Sequence, residues 1–361
     1  MNRYANARQY FNGLLLNNSA LLGIYHWGHA RFATYSSQIQ ARRRAYNPGR
    51  LINILENRPL GLVIDVANIC NANCGFCSIK HNKRPKRIMS NELFSIIIEQ
   101  YAELGGGMLS LTPINGDPLV DKDLIAKIQF ARQFPQIGQI AFNTNLIALE
   151  KHDVSKLLQS GIDTISISTC ICDREMYERV YGVDRYDIVM KNIETLLAAN
   201  AKNMHKVNIV VSLRGEKPYS RVFASDDYKL VARLLGKPPV VLREYRSWNG
   251  LVRERDLPSG HKFRASLRDR TEPCNQLYDG LIMYENGDAG ICQCVDVNAL
   301  LTVGNVKKQT LAEIWRGDDL NKMRADWSRK TPGICRECDW YAPVSQLLAS
   351  YEREILNMDV A

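Results

Sequence analysis

No apolar run in the 361-residue sequence approaches the roughly 18–20 residues that a membrane span needs. The nearest candidate, "NGLLLNNSALLGIYHWGHARF" (12–32), is interrupted by asparagines and histidines. That stretch also lacks a compact apolar core followed by a small-residue cleavage site, so no secretory signal is expected. Internal repeats and low-complexity tracts are absent too, which excludes solenoids and biased tails. Aromatics are missing from both basic clusters, "ARRR" (41–44) and "KHNKRPKR" (80–87), and neither matches a nucleic-acid motif. Despite a formal charge of +9, the clusters therefore read as solvated surface, and no nucleic-acid partner is expected.

What is present is an ordinary globular composition, 45% hydrophobic and 24% charged, with ten cysteines. The length fits one large α/β domain plus a smaller one. In a chain read as cytoplasmic, ten cysteines point to metal or redox chemistry rather than disulfides.

Residues 1–60 read as an amphipathic helical extension, broken near "NPGR" (47–50). Six short apolar strands follow, at 62–67, 108–114, 139–145, 163–168, 207–213 and 239–245. Helical patterns lie between them at 91–104, 122–134, 153–160, 186–200 and 227–236, with Ser90 as a helix N-cap and Gly105 and Gly236 at C-cap positions. The alternation predicts a parallel sheet with right-handed crossovers, a partial (β/α)6 barrel over 61–245. Functional loops then belong at the C-terminal strand ends. Residues 246–273 read as a polar linker, 274–340 as a cysteine-rich subdomain, and 341–361 as a C-terminal helix.

The loop "CNANCGFC" puts Cys70, Cys74 and Cys77 directly after the first strand. Three thiolates can hold three irons of a [4Fe–4S] cluster, leaving the fourth iron open to a small chelating molecule. A zinc site would need a fourth ligand nearby, and His81 is the one candidate.

This C-x3-C-x2-C, with Phe76 before the last cysteine, resembles the radical S-adenosylmethionine (radical SAM) superfamily. The resemblance implies that S-adenosyl-L-methionine chelates the open iron, and that one electron cleaves it to a 5′-deoxyadenosyl radical that abstracts a substrate hydrogen. It implies in turn a flavodoxin- or ferredoxin-type electron donor. Asn115-Gly116-Asp117-Pro118 is similar to the family's Gly-Gly-Glu-Pro-type motif, with Asp117 one methylene shorter than the usual acid. Asn143 and Asn145, in "NTN", stand where relatives carry Thr-Asn-Gly. Ser166 and Ser168 alternate on one strand face and are expected near the ribose. In "DTISISTCICDREMYERVYG", Cys170 replaces the aspartate of the common family pattern.

Downstream, strand-like runs flank "ENGD", a hairpin signal that would bring Cys274 and Cys292 together. Cys335 and Cys338 complete a four-thiolate set with no open iron. The segment resembles the SPASM/twitch extension: Cys274, Gly287 and Cys292 match its C-x9–15-G-x4-C opening, and "GNVKKQTLAEIWRG" its Leu-x-Glu-Ile-Trp stretch. No cysteine follows Cys338, so the resemblance is to the one-cluster type, as in butirosin-type aminocyclitol dehydrogenase. A four-cysteine structural zinc site is the rival reading, and Cys294 a spare thiol that could replace Cys292.

Cys170 and Cys172 read either as small semi-buried residues or, for Cys170, as a hydrogen donor at the barrel mouth. Arg243 and Tyr245, ending the sixth strand, are candidate substrate-binding residues. The expected reaction is oxidation of a secondary alcohol on a small-molecule substrate, a sugar or aminocyclitol. Epimerisation through Cys170, modification of a ribosomal peptide and a non-catalytic iron–sulfur electron carrier are the alternatives.

Overall fold

Runs of β-branched and apolar residues bounded by glycines and polar turns form a single nine-stranded sheet in the computed structural model, which describes residues 47–264, 270–336 and 338–358. The helical extension expected before residue 47 lies outside these residues. The strands are β1 (Gly61–Ile64), β2 (Gly107–Ser110), β3 (Ile137–Thr144), β4 (Thr164–Thr169), β5 (Asn208–Leu213), β6 (Val240–Val241), β7 (Gly280–Met283), β8 (Asp288–Gly290) and β9 (Thr302–Asn305). Their order is β6-β5-β4-β3-β2-β1-β7-β8-β9. The first six pair in parallel, as crossover helices require. This is the expected α/β partial barrel, with a second region at its C-terminal end.

Local chemistry sets the helices. Ser90 caps Asn91–Glu103 by accepting from Leu93 N at 3.2 Å, and Gly236 ends Asp226–Leu235 in a left-handed conformation. A helix starts within the "NPGR" stretch. Asn47 caps Pro48–Asn57, and proline sits in its first turn, where no backbone donor is lost. Thr310 and Glu313 form a reciprocal capping box on Leu311–Trp315. The C-terminal helix is two pieces, Val344–Ser350 and Glu352–Met358, separated at Tyr351.

The ENGD hairpin forms as β7 and β8, but it does not stand apart from the barrel. β7 pairs in parallel with β1, in register Gly61↔Gly280 through Ile64↔Met283. β1 therefore sits between β2 and β7, and the loop leaving its C-terminal end lies beside both cysteine groups. The 246–252 stretch, read as linker, is folded onto both of them, as described below. Among the described residues no helix is long and apolar enough to cross a membrane.

Candidate active site

The loop after β1 is tied down on every side. Asn73 N donates to Tyr181 O at 2.9 Å, Cys77 N to Cys74 O at 3.3 Å, and Asp117 N to Ile69 O at 2.9 Å. Gly75 and Gly116 are required by close approach. A Cβ on Gly75 would lie 2.4 Å from Asp256 O, and one on Gly116 would lie 2.1 Å from Ala67 O. Trp248 Nε1 donates to Phe76 O at 3.0 Å.

Cys70, Cys74 and Cys77 line one cavity of about 290 Å³ at the C-terminal ends of β1–β5. Of the residues expected around a cofactor, Phe76, Gly116, Asp117, Asn143, Asn145, Ser166 and Ser168 line it too. Asn115 and Pro118 do not. Asn115 is buried beneath the loop and accepts from Ser78 Oγ at 2.9 Å, while Pro118 opens a single 3-10 turn capped by Asp117. The Asp117 carboxylate braces the protein itself. It accepts from Leu119 N (3.0 Å), Thr144 Oγ1 (2.9 Å) and Asn145 N (2.7 Å). Burial pushes it up to about 6, against the lowering effect of those donors.

Sequence reasoning missed Arg214, Tyr181, Thr112 and Ser212, all on the cavity wall. Arg214 lies over the rings of Phe76 (4.8 Å) and Tyr245 (5.3 Å), and its Nε reaches Ser168 Oγ at 3.4 Å. The available signal was a cation directly after an apolar strand, in "VNIVVSLRG". Neither Arg243 nor Tyr245 is on the wall. Tyr245 is buried behind Phe76, edge-on at 5.6 Å, and the Arg243 guanidinium lies 5.7 Å from the Tyr219 ring. Cys170 is 2% exposed, with its Sγ against Gly215, and Cys172 donates its thiol hydrogen to Asp173 Oδ2 at 3.2 Å. Neither thiol lines the cavity, so a donor role for Cys170 has no geometric support.

The donor set fits a cubane. Cys70 Sγ accepts from Ala72 N and from Asn145 Nδ2, each at 3.5 Å, as sulfurs of a bound cluster commonly do. Among the described residues no three His, Cys, Asp or Glu side chains converge tightly enough for a single metal ion. Burial pushes all three thiols up, Cys70 to about 12, so cluster binding must displace their protons.

The second group is as coherent. Cys274, Cys292, Cys294, Cys335 and Cys338 all line one small cavity of about 30 Å³, walled by Leu277, Ile291, Val295, Trp327, Trp340 and Tyr341. The bridge Cys274↔Pro343 closes its base. Arg270, also missed in the sequence, clamps the C-x2-C turn by donating to Cys335 O and Cys338 O, both at 2.7 Å. Cys292 Sγ accepts from Val295 N at 3.4 Å and Cys338 Sγ from Trp340 N at 3.3 Å.

Two family models match the chain. The radical SAM superfamily model covers residues 64–218, and the SPASM iron–sulfur cluster-binding domain covers 274–339. Residues 64–218 are a radical SAM domain, followed by a SPASM iron–sulfur region. The chain's cofactors are accordingly S-adenosyl-L-methionine and [4Fe–4S] clusters, and it is an enzyme. BtrN, solved in complex with AdoMet and 2-DOIA, shares the fold at TM-score 0.54 and 16% identity, over 80% of this chain and 96% of that one. SuiB of Streptococcus suis, solved bound to precursor peptide SuiA, shares it at TM-score 0.57 and 16% identity, over 79% and 72%. Over 165 residues this radical SAM enzyme is 27% identical to the GTP 3′,8-cyclase of Pasteurella multocida (strain Pm70), covering 45% of this chain and 48% of that protein. It thus spans about half the length of the curated relatives it matches.

Proposed function

We propose that this enzyme oxidises a secondary alcohol of a small polyhydroxylated molecule, of sugar or aminocyclitol type, in the cytoplasm. The supporting observation is the cavity wall. Thr112, Ser166, Ser168 and Ser212 present hydroxyls, Asn143 an amide and Arg214 a single guanidinium, around a volume too small for a large substrate beside a cofactor. A nucleoside triphosphate, the substrate that the cyclase relatives' name implies, calls for several cations, and Arg214 is the one Lys or Arg on this wall. The fold itself does not choose, since it carries both a 2-DOIA complex and a peptide complex.

Cys70, Cys74 and Cys77 would hold the first cluster, and Cys274, Cys292, Cys335 and Cys338 the auxiliary one. When bound, these groups and S-adenosylmethionine supply hydrogen-atom abstraction and a one-electron sink. The chain's own residues bind and orient. Asn145 Nδ2 fixes the cysteine loop through Asn71 Oδ1 at 2.8 Å. Arg214, held between Phe76 and Tyr245, is positioned to bind substrate hydroxyls beside Ser168. Phe76, Tyr181 and Leu242 keep the cavity's inner wall apolar and exclude water.

The test is anaerobic reconstitution and reduction, followed by mass spectrometry of a sugar and aminocyclitol panel. Oxidation predicts 5′-deoxyadenosine together with a product short of two hydrogens. Isomeric product carrying solvent deuterium would establish epimerisation instead. No nucleoside with both clusters intact would leave only the electron-carrier reading. Cys70→Ala must abolish nucleoside formation.

A further inference from the structure

The segment Lys80–Ile88, which begins three residues after Cys77, has no part in the reading above. It leaves the cluster loop through one short turn, Ser78–His81, and runs back along the sheet as a strap. Its backbone is pinned throughout. Lys83 N donates to Asn298 Oδ1 at 2.8 Å, Arg87 N to Asn68 Oδ1 at 2.7 Å, and Asn68 Nδ2 to Pro85 O at 2.8 Å. A bridge joins Ile88 to Ala67. Arg84 turns inward and ion-pairs with Asp65 at 2.6 Å and Glu285 at 2.5 Å.

Lys80, His81, Lys83, Lys86 and Arg87 are instead exposed. Among the described residues, Arg84 is the one Lys or Arg of the strap in an ion pair. Two apolar side chains stand at the edge of this patch. Ile88 is 44% exposed, and Leu300, two residues beyond the Asn298 that holds the strap, is 68% exposed. A fixed cationic rim around apolar points is the composition of an electrostatically steered docking surface, and its rigidity lowers the ordering cost of association.

We propose that this strap docks an acidic one-electron carrier protein of flavodoxin or ferredoxin type. The inference rests on the radical SAM reading, because the site beside it must be reduced. Placement favours a carrier over nucleic acid. The strap adjoins a ligand of the first cluster, and through Asn298 and Val297 it also touches the loop after Cys292 and Cys294. No aromatic lies in 80–88 to stack a base. In the exchange the carrier gives up one electron to the centre held by Cys70, Cys74 and Cys77 and leaves oxidised by one electron. No atom is transferred.

The test uses the reconstituted holoprotein, a reduced acidic flavodoxin, and dithionite as a small chemical reductant. In K80E/K83E/K86E/R87E, the second-order rate of flavodoxin oxidation should fall on the order of tenfold or more, and the wild-type rate should drop steeply as salt rises. Calorimetric Kd for oxidised flavodoxin should weaken similarly, and dithionite-driven 5′-deoxyadenosine formation should be unchanged. The milder K80Q/K83Q/K86Q should show a smaller loss in the same direction. Equal rates and equal Kd in wild type and variant overturn the proposal, as does tight RNA binding by the strap with carrier reduction unaffected. Loss of dithionite-driven cleavage in the wild type would sink the enzyme reading instead, while Kd still reads the surface.

Discussion

Asp117 shows how far a motif can be trusted one residue at a time. Gly116 and Asp117 of "NGDP" reach the cavity wall, yet the carboxylate is taken up by Leu119, Thr144 and Asn145. Asp117→Ala removes the acceptor from three buried donors and should cost about 3 kcal/mol, at roughly 1 kcal/mol each. S-adenosylmethionine affinity should fall as well, because Asn145 also positions Cys70. Thermal unfolding and equilibrium dialysis read the two effects, and an unchanged midpoint would refute the bracing role. The cysteine spacing was legible because thiolate ligands sit close together in the chain. Two of the Asp117 partners, Thr144 and Asn145, were not, since they come from a strand end 27 and 28 residues away. Arg214 was missed for the same reason: its aromatic neighbours Phe76 and Tyr245 lie far off in sequence, and only the fold stacks them. The sequence left Cys170 between a buried residue and a hydrogen donor because strand alternation gives a face but not whether that face opens on a cavity.

At the scale of elements, the strap depends on the Asp65–Arg84–Glu285 triad. Asn68 Nδ2 adds a bond to Glu285 Oε1 at 2.9 Å, and the Arg84 guanidinium lies 4.6 Å from the Tyr284 ring centre. One cation serves two buried carboxylates, and burial holds Asp65 above the ordinary carboxylate range despite Arg84. Replacing Arg84 by Met leaves both acids uncompensated and should destabilise by about 3–5 kcal/mol. The sign with pH follows. Without the guanidinium both carboxyls titrate higher still, so a proton relieves the defect in acid and ionisation worsens it in base. The midpoint deficit of Arg84→Met should therefore grow from pH 5 to pH 8, and a constant deficit would count against a charge origin. Triple replacement by Asp65→Leu, Arg84→Met and Glu285→Leu should recover much of the loss. Such a triad is invisible in sequence, since 201 residues separate Arg84 from Glu285. The main strand–helix alternation was legible, although β6 is cut to two residues and the short helix Ser220–Ala224 was not expected. The helix Arg174–Tyr181 was missed, being hidden inside a stretch read for its family pattern.

Across the whole molecule, the two cysteine cavities are joined by one side chain. Trp248 donates to Phe76 O beside the first group, and it packs against Tyr245, Val252 and Leu257 there. Its other contacts are Cys292, Val295 and Cys338 of the second group. The turn that presents it is strained. Trp248 (φ 52°) and Asn249 (φ 57°) are both left-handed, at on the order of 1 kcal/mol or more each. Anchors on either side offset that cost: Ser247 N donates to Asp339 Oδ2 at 2.5 Å, Arg246 Nη1 donates to Asp339 O, and Val252 N closes back on Ser247 O at 2.9 Å. The sequence showed this segment as a polar linker because its packing partners come from both cysteine groups at once. If Trp248 couples the two sites mechanically, Trp248→Ala should loosen both. Trp248 is half-buried, so its truncation should cost less than the roughly 3–5 kcal/mol of a fully buried tryptophan, yet about 1.4 kcal/mol is enough to raise hydrogen exchange by an order of magnitude. Exchange should rise together in 74–78 and in 292–297, with iron retained at both sites under mild conditions. Val252→Ala, in the Tyr245–Leu257 cluster against which Phe76 packs and outside the cluster of Cys292 and Cys338, should raise exchange in 74–78 alone. Were Trp248→Ala to loosen only one of the two segments, the sites would be independent modules sharing a sheet. A joint response would mean that the spacing between the radical-generating site and the auxiliary site is set by this wedge.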